Sequence, residues 1–113
     1  NLKRVIFLSK LLTKSNIAVI TAFVSPYTSI RRYARRQIKN FIEVYVSCPL
    51  DVCRSRDVKG LYKKATSGAV KNFTGISHPY EKPVHPEIIV DTDKLSVTQC
   101  ANTIVQYILN SKF

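Results

Sequence analysis

Apolar residues recur with a helical period at both ends of the chain. In the first segment, spacings of three and four residues predict a helix that ends at Ser15 and Asn16. In the last segment the same period follows Ser96 and Gln99, which are spaced as a capping box. Both segments are therefore predicted as amphipathic helices. Their apolar residues are Leu2, Val5, Ile6, Leu8 and Leu12 in the first, and Val97, Cys100, Ala101, Ile104, Val105, Ile108 and Leu109 in the last.

Three shorter segments have the composition of β-strands. Residues 17–23 form a continuous apolar run rich in β-branched side chains, which is typical of a strand covered on both faces in a parallel sheet. Residues 41–46 and 87–90 are the second and third predicted strands. Because three strands are few for such a sheet, we expect further strands before Asn1.

Further helices are predicted between these strands. Residues 29–38 have helical spacing and are strongly basic, residues 47–49 open a short helix with a proline in its first turn, and residues 61–65 form another. Residues 66–86 carry only loop signals, and so long a loop in a small domain is usually functional or disordered. The alternation of strands and helices predicts an α/β fold with a parallel sheet flanked by helices.

Charge and composition narrow the classes of partner. The chain has 18 Lys and Arg against 7 acidic residues, and its formal charge of +11 implies anionic partners. Cys48, Cys53 and Cys100 are predicted to be reduced, buried thiols, which suits the cytoplasm or the matrix of a plastid or other organelle. His78 and His85 have no companions at metal-ligand spacing, so no metal site is predicted. No apolar run approaches the ~20 residues of a membrane helix.

Two segments are candidates for ligand chemistry. Ser25 and Pro26 follow the first predicted strand, and ligands of open α/β sheets bind beyond the carboxyl ends of the strands. Residues 56–73 combine cations, which suit phosphate or sulfate oxygens, with Phe73, which offers a stacking face to a base. A plain strand-ending turn and a solvated basic loop are the alternatives, and composition alone leaves them open. The cations are Arg56, Lys59, Lys63, Lys64 and Lys71.

The order and spacing of five segments resemble adenylylsulfate kinases (APS kinases). The segments are Phe23-Val-Ser-Pro-Tyr27, Phe41-Ile-Glu-Val44, Pro49-Leu-Asp-Val-Cys53, Arg56-Asp-Val-Lys-Gly-Leu-Tyr-Lys63 and Phe73-Thr-Gly-Ile-Ser-His-Pro-Tyr-Glu81. The similarity runs from Asn1 to about Leu109. It implies a P-loop NTPase-like parallel sheet flanked by helices. It also implies a transferase that uses ATP to phosphorylate the 3′-hydroxyl of adenylyl sulfate, giving 3′-phosphoadenylyl sulfate in sulfate assimilation.

The resemblance implies a lid over about residues 56–83. Lys59 corresponds to a lid lysine that contacts adenylyl sulfate. Asn72 and Phe73 correspond to the lid pair beside it, with Phe73 stacking on the adenine. Arg56 corresponds to a lid arginine near the base of ATP.

The resemblance also implies substrate-binding residues before the lid. Val24 and Ser25 correspond to the turn that lines the same nucleotide, and Ser25 to the serine designated as a phosphoserine intermediate. Direct in-line transfer without a protein nucleophile is the simpler chemistry. Asn1 corresponds to the asparagine that closes an Arg-x-x-Asn substrate motif. Thr28 stands where relatives commonly carry an arginine, and Arg31 is a candidate to compensate.

The phosphate loop that this fold needs is not among the 113 residues. No Gly-x-x-x-x-Gly-Lys followed by Ser or Thr occurs, the chain has no methionine, and it begins at Asn1. We therefore expect residues 1–113 to be the C-terminal part of one kinase domain that is inactive alone. The expected cofactors are ATP and Mg²⁺, with their main ligands before Asn1. The resemblance further implies a homodimer and a fused or associated ATP sulfurylase.

A non-catalytic basic module that binds nucleotides or nucleic acid is the alternative function. It rests on an arginine-rich helix and on the charge of +11. A solvated helix face is the plainer interpretation, so we expect no nucleic-acid and no membrane partner. Nucleic-acid binding would collapse steeply with ionic strength, whereas binding of adenylyl sulfate would depend on Phe73. The arginines are Arg31, Arg32, Arg35 and Arg36, with Tyr33 between them.

Overall fold

The computed structural model describes residues 1–112. Within that range five helices and two strands follow one another along the chain. They are α1 (Leu2–Lys14), α2 (Thr28–Gln37), β1 (Val44–Ser47), α3 (Leu50–Arg56), α4 (Leu61–Thr66), β2 (Ile88–Asp91) and α5 (Val97–Asn110). The described chain divides into two compact units: Asn1–Phe41 with Tyr80–Lys82, and the remaining described residues.

The first unit is built on the packing of α1 against α2. Ile6 of α1 and Ala34 of α2 are its buried apolar residues. Lys10 Nζ donates a hydrogen bond to Gln37 Oε1 at 2.7 Å, which joins the two helices at one end. The helix predicted to end at Ser15 and Asn16 is confirmed: α1 begins at Leu2 and ends at Lys14, and Ser15 is its C-cap.

The second unit contains a parallel pair of strands. β1 and β2 pair in register, with Val44 opposite Ile88 and Ser47 opposite Asp91. Parallel strands need a long crossover, and α3, α4 and the loop after α4 provide it here. The predicted α/β arrangement with a parallel sheet is therefore confirmed, and two of the three predicted strands are present.

The core of the second unit lies between β2 and α5. Ile88, Val90 and Cys100 are buried together, and Ile104 packs against them. Ile89, whose side chain points to the opposite face of β2, is 57% exposed. Within residues 1–112, helix α5 thus covers one face of this strand.

The prediction of a strand over residues 17–23 is wrong for the described chain. No strand is formed there, and Ile20 is 94% exposed. An apolar, β-branched run favours extended backbone, but a strand exists only when a neighbouring strand accepts and donates its hydrogen bonds. Among residues 1–112 the sheet consists of β1 and β2 alone.

None of the helices in residues 1–112 is long and apolar enough to cross a lipid bilayer.

Candidate functional site

The carboxyl edge of the parallel sheet carries Arg56. β1 and β2 end side by side, and Cys48 and Thr92 are the residues that follow them. The Arg56 guanidinium donates from Nη2 to the Thr92 carbonyl oxygen at 2.8 Å, and its Nη1 lies 3.8 Å from Cys48 Sγ. Ligands of open α/β folds bind beyond this edge. Arg56, predicted to lie near the base of ATP, is thus an exposed cation at the edge where such a ligand binds.

A tight turn between α3 and α4 presents Lys59. The Gly60 N–H donates to the Asp57 carbonyl oxygen at 2.8 Å, which closes the turn around Val58 and Lys59. Gly60 has φ +63, a left-handed conformation that glycine adopts without steric cost. Lys59 is exposed on this turn, so its ammonium group is accessible to an anion.

The carboxylate of Asp57 caps the beginning of α4. Its Oδ1 accepts the Tyr62 N–H and its Oδ2 accepts the Lys63 N–H, both at 3.0 Å. The hydrogen bond from the Lys63 backbone, reinforced by that from Tyr62, holds the pKa of Asp57 below its ordinary value. Asp57 therefore orients the helix that follows the Lys59 turn.

The ring of Phe73 is braced by Tyr62. The two ring centroids are 5.0 Å apart and the planes meet at 73°, an edge-to-face contact. The Phe73 N–H donates to Ser77 Oγ at 2.7 Å, and its carbonyl oxygen accepts the N–H groups of Ile76, Ser77 and His78. Backbone and ring are both held, and the side chain remains half-buried, so part of its surface is open to a stacking partner.

Asn72 stands in a strained backbone position next to Phe73. Its φ is +60, in the left-handed region that asparagine tolerates better than most residues. Asn72 Oδ1 lies within hydrogen-bond distance of His78 Nε2, at 2.9 Å. The Gly75 N–H donates to the His78 carbonyl oxygen at 2.7 Å, which closes the loop. His78 therefore braces the loop that displays Asn72 and Phe73.

The side chains of Cys48, Cys53 and Tyr62 interact with one another. Burial raises the pKa of the Cys53 thiol, and its hydrogen bond with Cys48 raises it further. Burial also raises the pKa of Tyr62, whose hydroxyl contacts Cys53. Cys48, Cys53 and Cys100 are all free cysteines, but only Cys100 is buried, so the prediction of burial is wrong for Cys48 and Cys53.

An open cleft of about 500 Å³ lies beside α4. Of the residues discussed so far, Asp57, Tyr62 and Lys63 line it. None of the four predicted ligand residues of this unit does: they are Arg56, Lys59, Asn72 and Phe73. Arg56 is the last residue of α3, whereas Lys59, Asn72 and Phe73 stand on turns and loops of the described chain.

The first unit contains the other three predicted site residues. The Ser25 carbonyl oxygen accepts a hydrogen bond from Arg31 Nη1 at 2.5 Å, and Val24 is 67% exposed. Asn1 precedes α1, where its carbonyl oxygen accepts the N–H groups of Arg4 and Val5. Asn1, Val24 and Ser25 thus belong to one unit. The other four predicted site residues belong to the second unit: Arg56, Lys59, Asn72 and Phe73.

The arginines of α2 do not form a free basic stripe. Arg31 is only 7% exposed. The Arg35 guanidinium lies 5.2 Å from the centre of the Phe41 ring, in cation–π geometry. Arg32 and Arg36 remain exposed. Two of the four arginines on which the nucleic-acid alternative rested are therefore engaged within the protein.

Four residues with clear structural roles in these regions were not predicted as site residues. Asp57, Tyr62 and Glu81 stand inside the matched segments, and Arg31 was considered only as a surface cation or a replacement. An aspartate shortly before a glycine and a helix is a signal that could have indicated the cap at Asp57. No local pattern points to the bonds that Glu81 makes with Arg31 and Thr28, because 50 and 53 residues separate these partners.

The chain matches the family model described as adenylylsulphate kinase over residues 1–91. The probable adenylyl-sulfate kinase of Pseudomonas aeruginosa is 48% identical over 106 residues, which are 94% of this chain and 50% of that protein. The adenylyl-sulfate kinase of Halothermothrix orenii is 49% identical over 108 residues, 96% of this chain and 58% of that protein. The chain thus spans little more than half the length of these relatives.

A solved structure extends the comparison to the fold. The Mycobacterium tuberculosis APS kinase CysC, in complex with AMPPNP and APS, superposes with a TM-score of 0.90 at 32% identity. The match covers 96% of this chain and 65% of that one. Together with the parallel pairing of β1 and β2, it confirms the predicted P-loop NTPase-like α/β fold. The resemblance inferred from the five segments is confirmed as well.

Proposed function

Because the chain belongs to the adenylylsulphate kinase family, we propose that the protein uses ATP to phosphorylate the 3′-hydroxyl of adenylyl sulfate. The products are 3′-phosphoadenylyl sulfate and ADP. The arrangement that carries the proposal is the braced, half-buried Phe73 ring in the same unit as the exposed Lys59. A related kinase that has been solved with AMPPNP and APS supports this choice of nucleotides.

Phe73 and Lys59 are proposed to recognise different parts of adenylyl sulfate. Phe73 stacks on the adenine, and such stacking contributes about 1–3 kcal/mol per base. Lys59 supplies a cation to the phosphate and sulfate oxygens, and Asn72 contacts the same nucleotide from the adjoining position. The hydrogen bonds to Ser77 and His78 hold this pair in place before the ligand arrives, which lowers the entropic cost of binding.

The remaining predicted residues are proposed to contact the two nucleotides. Val24, Ser25 and Asn1 contact adenylyl sulfate, and Arg56 lies against the base of ATP. The residues proposed to form the lid run from about 56 to 83, within one kinase domain that includes residues 1–113. A lid on turns and loops suits a site that closes over its substrate and excludes water.

The chemistry we propose is direct in-line transfer. The 3′-oxygen of adenylyl sulfate attacks the γ-phosphorus of ATP, the bond from that phosphorus to the bridging oxygen of ADP breaks, and the hydroxyl proton passes to solvent. Such transfer needs positioning and charge neutralisation more than a protein nucleophile. Ser25 then acts as a positioning residue. Retention of most activity by Ser25→Ala would agree with this, and trapping of a phosphoserine at Ser25 would contradict it.

ATP is proposed to enter as its Mg²⁺ complex, in which the ion would neutralise phosphate charge. Within residues 1–112 no cluster of three or more His, Cys, Asp or Glu side chains could hold a metal ion. No described residue is therefore assigned as a ligand of Mg²⁺.

The decisive experiment measures ADP formation by the complete gene product in the presence of ATP, Mg²⁺ and adenylyl sulfate. We expect turnover that requires adenylyl sulfate. Phe73→Ala should raise the Kd for adenylyl sulfate about 10-fold to 100-fold, because base stacking is lost. Phe73→Trp should restore most of the affinity. Phe7→Ala, which removes an exposed phenylalanine ring of α1, is the matched control.

Two results would contradict the proposal. One is a complete gene product that forms no ADP with adenylyl sulfate. The other is an unchanged affinity in the Phe73→Ala variant, which would remove the stacking role while leaving the reaction intact.

Partners and location follow from the same proposal. We propose a homodimer, which sedimentation velocity would test. ATP sulfurylase, whose product is the substrate here, is the proposed fused or associated partner. Three free cysteines suit a reducing compartment and support a cytoplasmic location.

A further inference from the structure

Arg31 is a buried cation whose bonds go mainly to backbone carbonyl groups. It is 7% exposed, and a guanidinium group is costly to bury unless its donors are satisfied. Nη1 donates to the Ser25 carbonyl oxygen at 2.5 Å, and Nη2 donates to the Glu81 carbonyl oxygen at 2.6 Å and to Thr28 Oγ1 at 3.1 Å. The guanidinium also lies 5.8 Å from the centre of the Tyr80 ring. One side chain thus joins two segments that are more than 50 residues apart.

Glu81 makes the reciprocal connection. Its Oε2 accepts the Thr28 N–H at 2.6 Å, and its own N–H donates to the Pro26 carbonyl oxygen at 2.8 Å. Helix α2 has no acidic residue in its first turn, and Tyr27 at its N-cap makes no side-chain capping bond. The carboxylate of Glu81 therefore supplies the negative charge that the beginning of α2 lacks.

These hydrogen bonds fix the orientation of the backbone groups around Ser25. The Ser25 carbonyl oxygen points to Arg31, the Pro26 carbonyl oxygen to the Glu81 N–H, and the Thr28 N–H to the Glu81 carboxylate. Three of the backbone groups between residues 25 and 28 are thereby held by Arg31 and Glu81. An arginine engaged in this way cannot be replaced by lysine without loss, because one ammonium group does not reproduce the planar set of donors.

We propose that Arg31 and Glu81 form a clamp that positions the turn of residues 24–28 for binding of adenylyl sulfate. This rests on the proposed function, in which Val24 and Ser25 contact that nucleotide. The clamp also anchors the chain at Tyr80 and Glu81, where the proposed lid segment comes back into the first unit. Arg31 and Glu81 are positioning residues: they act through the backbone of the turn and not through the reacting atoms.

The test compares Arg31→Gln, Arg31→Lys and Glu81→Gln in the complete gene product, with Arg36→Gln as the matched control on the exposed face of α2. KM is measured separately for adenylyl sulfate and for ATP. We expect Arg31→Gln to raise KM for adenylyl sulfate roughly tenfold or more, because a charge-assisted contact is lost. KM for ATP should stay within about twofold, and Arg31→Lys should restore part of the loss. Glu81→Gln should shift the same parameter in the same direction by a smaller factor.

Hydrogen exchange supplies a readout independent of turnover. In Arg31→Gln and Glu81→Gln, the amides of Thr28 and Glu81 should exchange faster than in Arg36→Gln, since their acceptors are then held less firmly. If Arg31→Gln fails to fold, Glu81→Gln carries both measurements, because its side chain is exposed.

The outcomes separate the clamp from the proposed reaction. An unsubstituted protein that turns over adenylyl sulfate, with variants whose two KM values are unchanged or rise together, would overturn the clamp and leave the kinase proposal standing. An unsubstituted protein that does not use adenylyl sulfate would overturn the proposed function itself. In that case the exchange measurement still decides whether Arg31 and Glu81 hold the turn.

Discussion

Asp57 and Glu81 each use a carboxylate to bind the N–H groups at the beginning of a helix. Asp57 does so for α4 from a few residues upstream, and Glu81 for α2 from 53 residues downstream. The pKa of each carboxyl is held below its ordinary value, in both cases chiefly by the backbone hydrogen bond it accepts. Asp57 and Glu81, two charged residues of the matched segments, therefore stabilise the backbone.

The acid sensitivity of the fold follows from these two carboxylates. A carboxyl with a depressed pKa in the folded state stabilises the protein above its unfolded pKa of about 4, and this contribution is lost as pH falls through the lower folded value. We expect Tm to fall on acidification from about pH 5 to about pH 3. The double variant Asp57→Asn and Glu81→Gln should show a flatter decline, measured by circular dichroism.

The exposed Asp93 offers the control for that experiment. Asp93→Asn should leave the acid slope of Tm close to that of the unsubstituted protein. An unchanged slope in the double variant would show that the depressed pKa values of Asp57 and Glu81 do not govern acid stability.

The Cys53 thiol should react slowly in the folded protein. Burial and the bond to Cys48 raise its pKa, so the thiolate fraction near pH 8 is below that of a free cysteine, whose pKa is about 8.5. Alkylation by iodoacetamide, followed by peptide mass spectrometry, should be slower at Cys53 than in urea-unfolded protein after correction for the intrinsic rate. Equal alkylation rates in the folded and the unfolded protein would contradict the raised pKa of the Cys53 thiol.

At the scale of elements, α5 shows how local signals determine a helix. The Ser96 side chain accepts the Gln99 N–H at 3.2 Å, and the Ser96 N–H donates to the Gln99 side chain at 2.9 Å. This capping box coincides with the first turn, and buried Cys100 with Ile104 continues the apolar face. Both the beginning and the period of α5 were therefore predicted from neighbouring residues.

Removal of the cap should destabilise α5 measurably. Ser96→Ala loses the hydrogen bond to the Gln99 N–H and should lower the free energy of unfolding by about 1 kcal/mol in urea titrations. Thr98→Ala is the matched control, because it removes an exposed hydroxyl from the same turn outside the capping box. Equal effects of the two substitutions would mean that the capping box does not stabilise the helix.

At the scale of the whole molecule, many large apolar side chains of the described chain are exposed. Ile20 is 94% exposed, Val24 67% and Phe7 66%. Exposed apolar patches mark sites of association, and Ile20 and Val24 belong to one short apolar segment of the chain. Val58, which is 93% exposed, differs because its neighbours along the chain are charged: Asp57 and Lys59.

The 113-residue chain, produced by itself, should self-associate through the segment around Ile20. Ile20→Lys should raise the apparent Kd of association roughly tenfold or more, since burial of an isoleucine contributes about 1.5–3 kcal/mol. Val58→Lys should leave it nearly unchanged. Sedimentation velocity over a concentration series makes the comparison, and equal effects of both substitutions would contradict an apolar segment as the cause.

Features that depend on residues close in the sequence were predicted, and features that depend on contacts between distant segments were not. Residues 17–23 have the composition of a strand, yet a strand needs a partner, and pairing depends on what lies beside the segment. Phe73 was predicted as a stacking residue from its matched segment, but the brace that Tyr62 provides became visible only in the structure. The arginine-rich sequence of α2 predicts surface cations. Arg31 is buried instead, and it donates to the carbonyl oxygens of Ser25 and of Glu81, the second of which is 50 residues away.

The sequence by itself determined the helical periods, the capping box of α5, the α/β alternation and the family, because each depends on residues close together or on their order along the chain. Only the tertiary structure decided that Arg31 and Glu81 hold the Ser25 turn, that Asp57 caps α4 and Tyr62 contacts the Phe73 ring, and that residues 17–23 form no strand within the described chain. The physical reason is that hydrogen bonds and packing between distant segments depend on the path of the chain in space. Local propensity and periodicity do not determine that path.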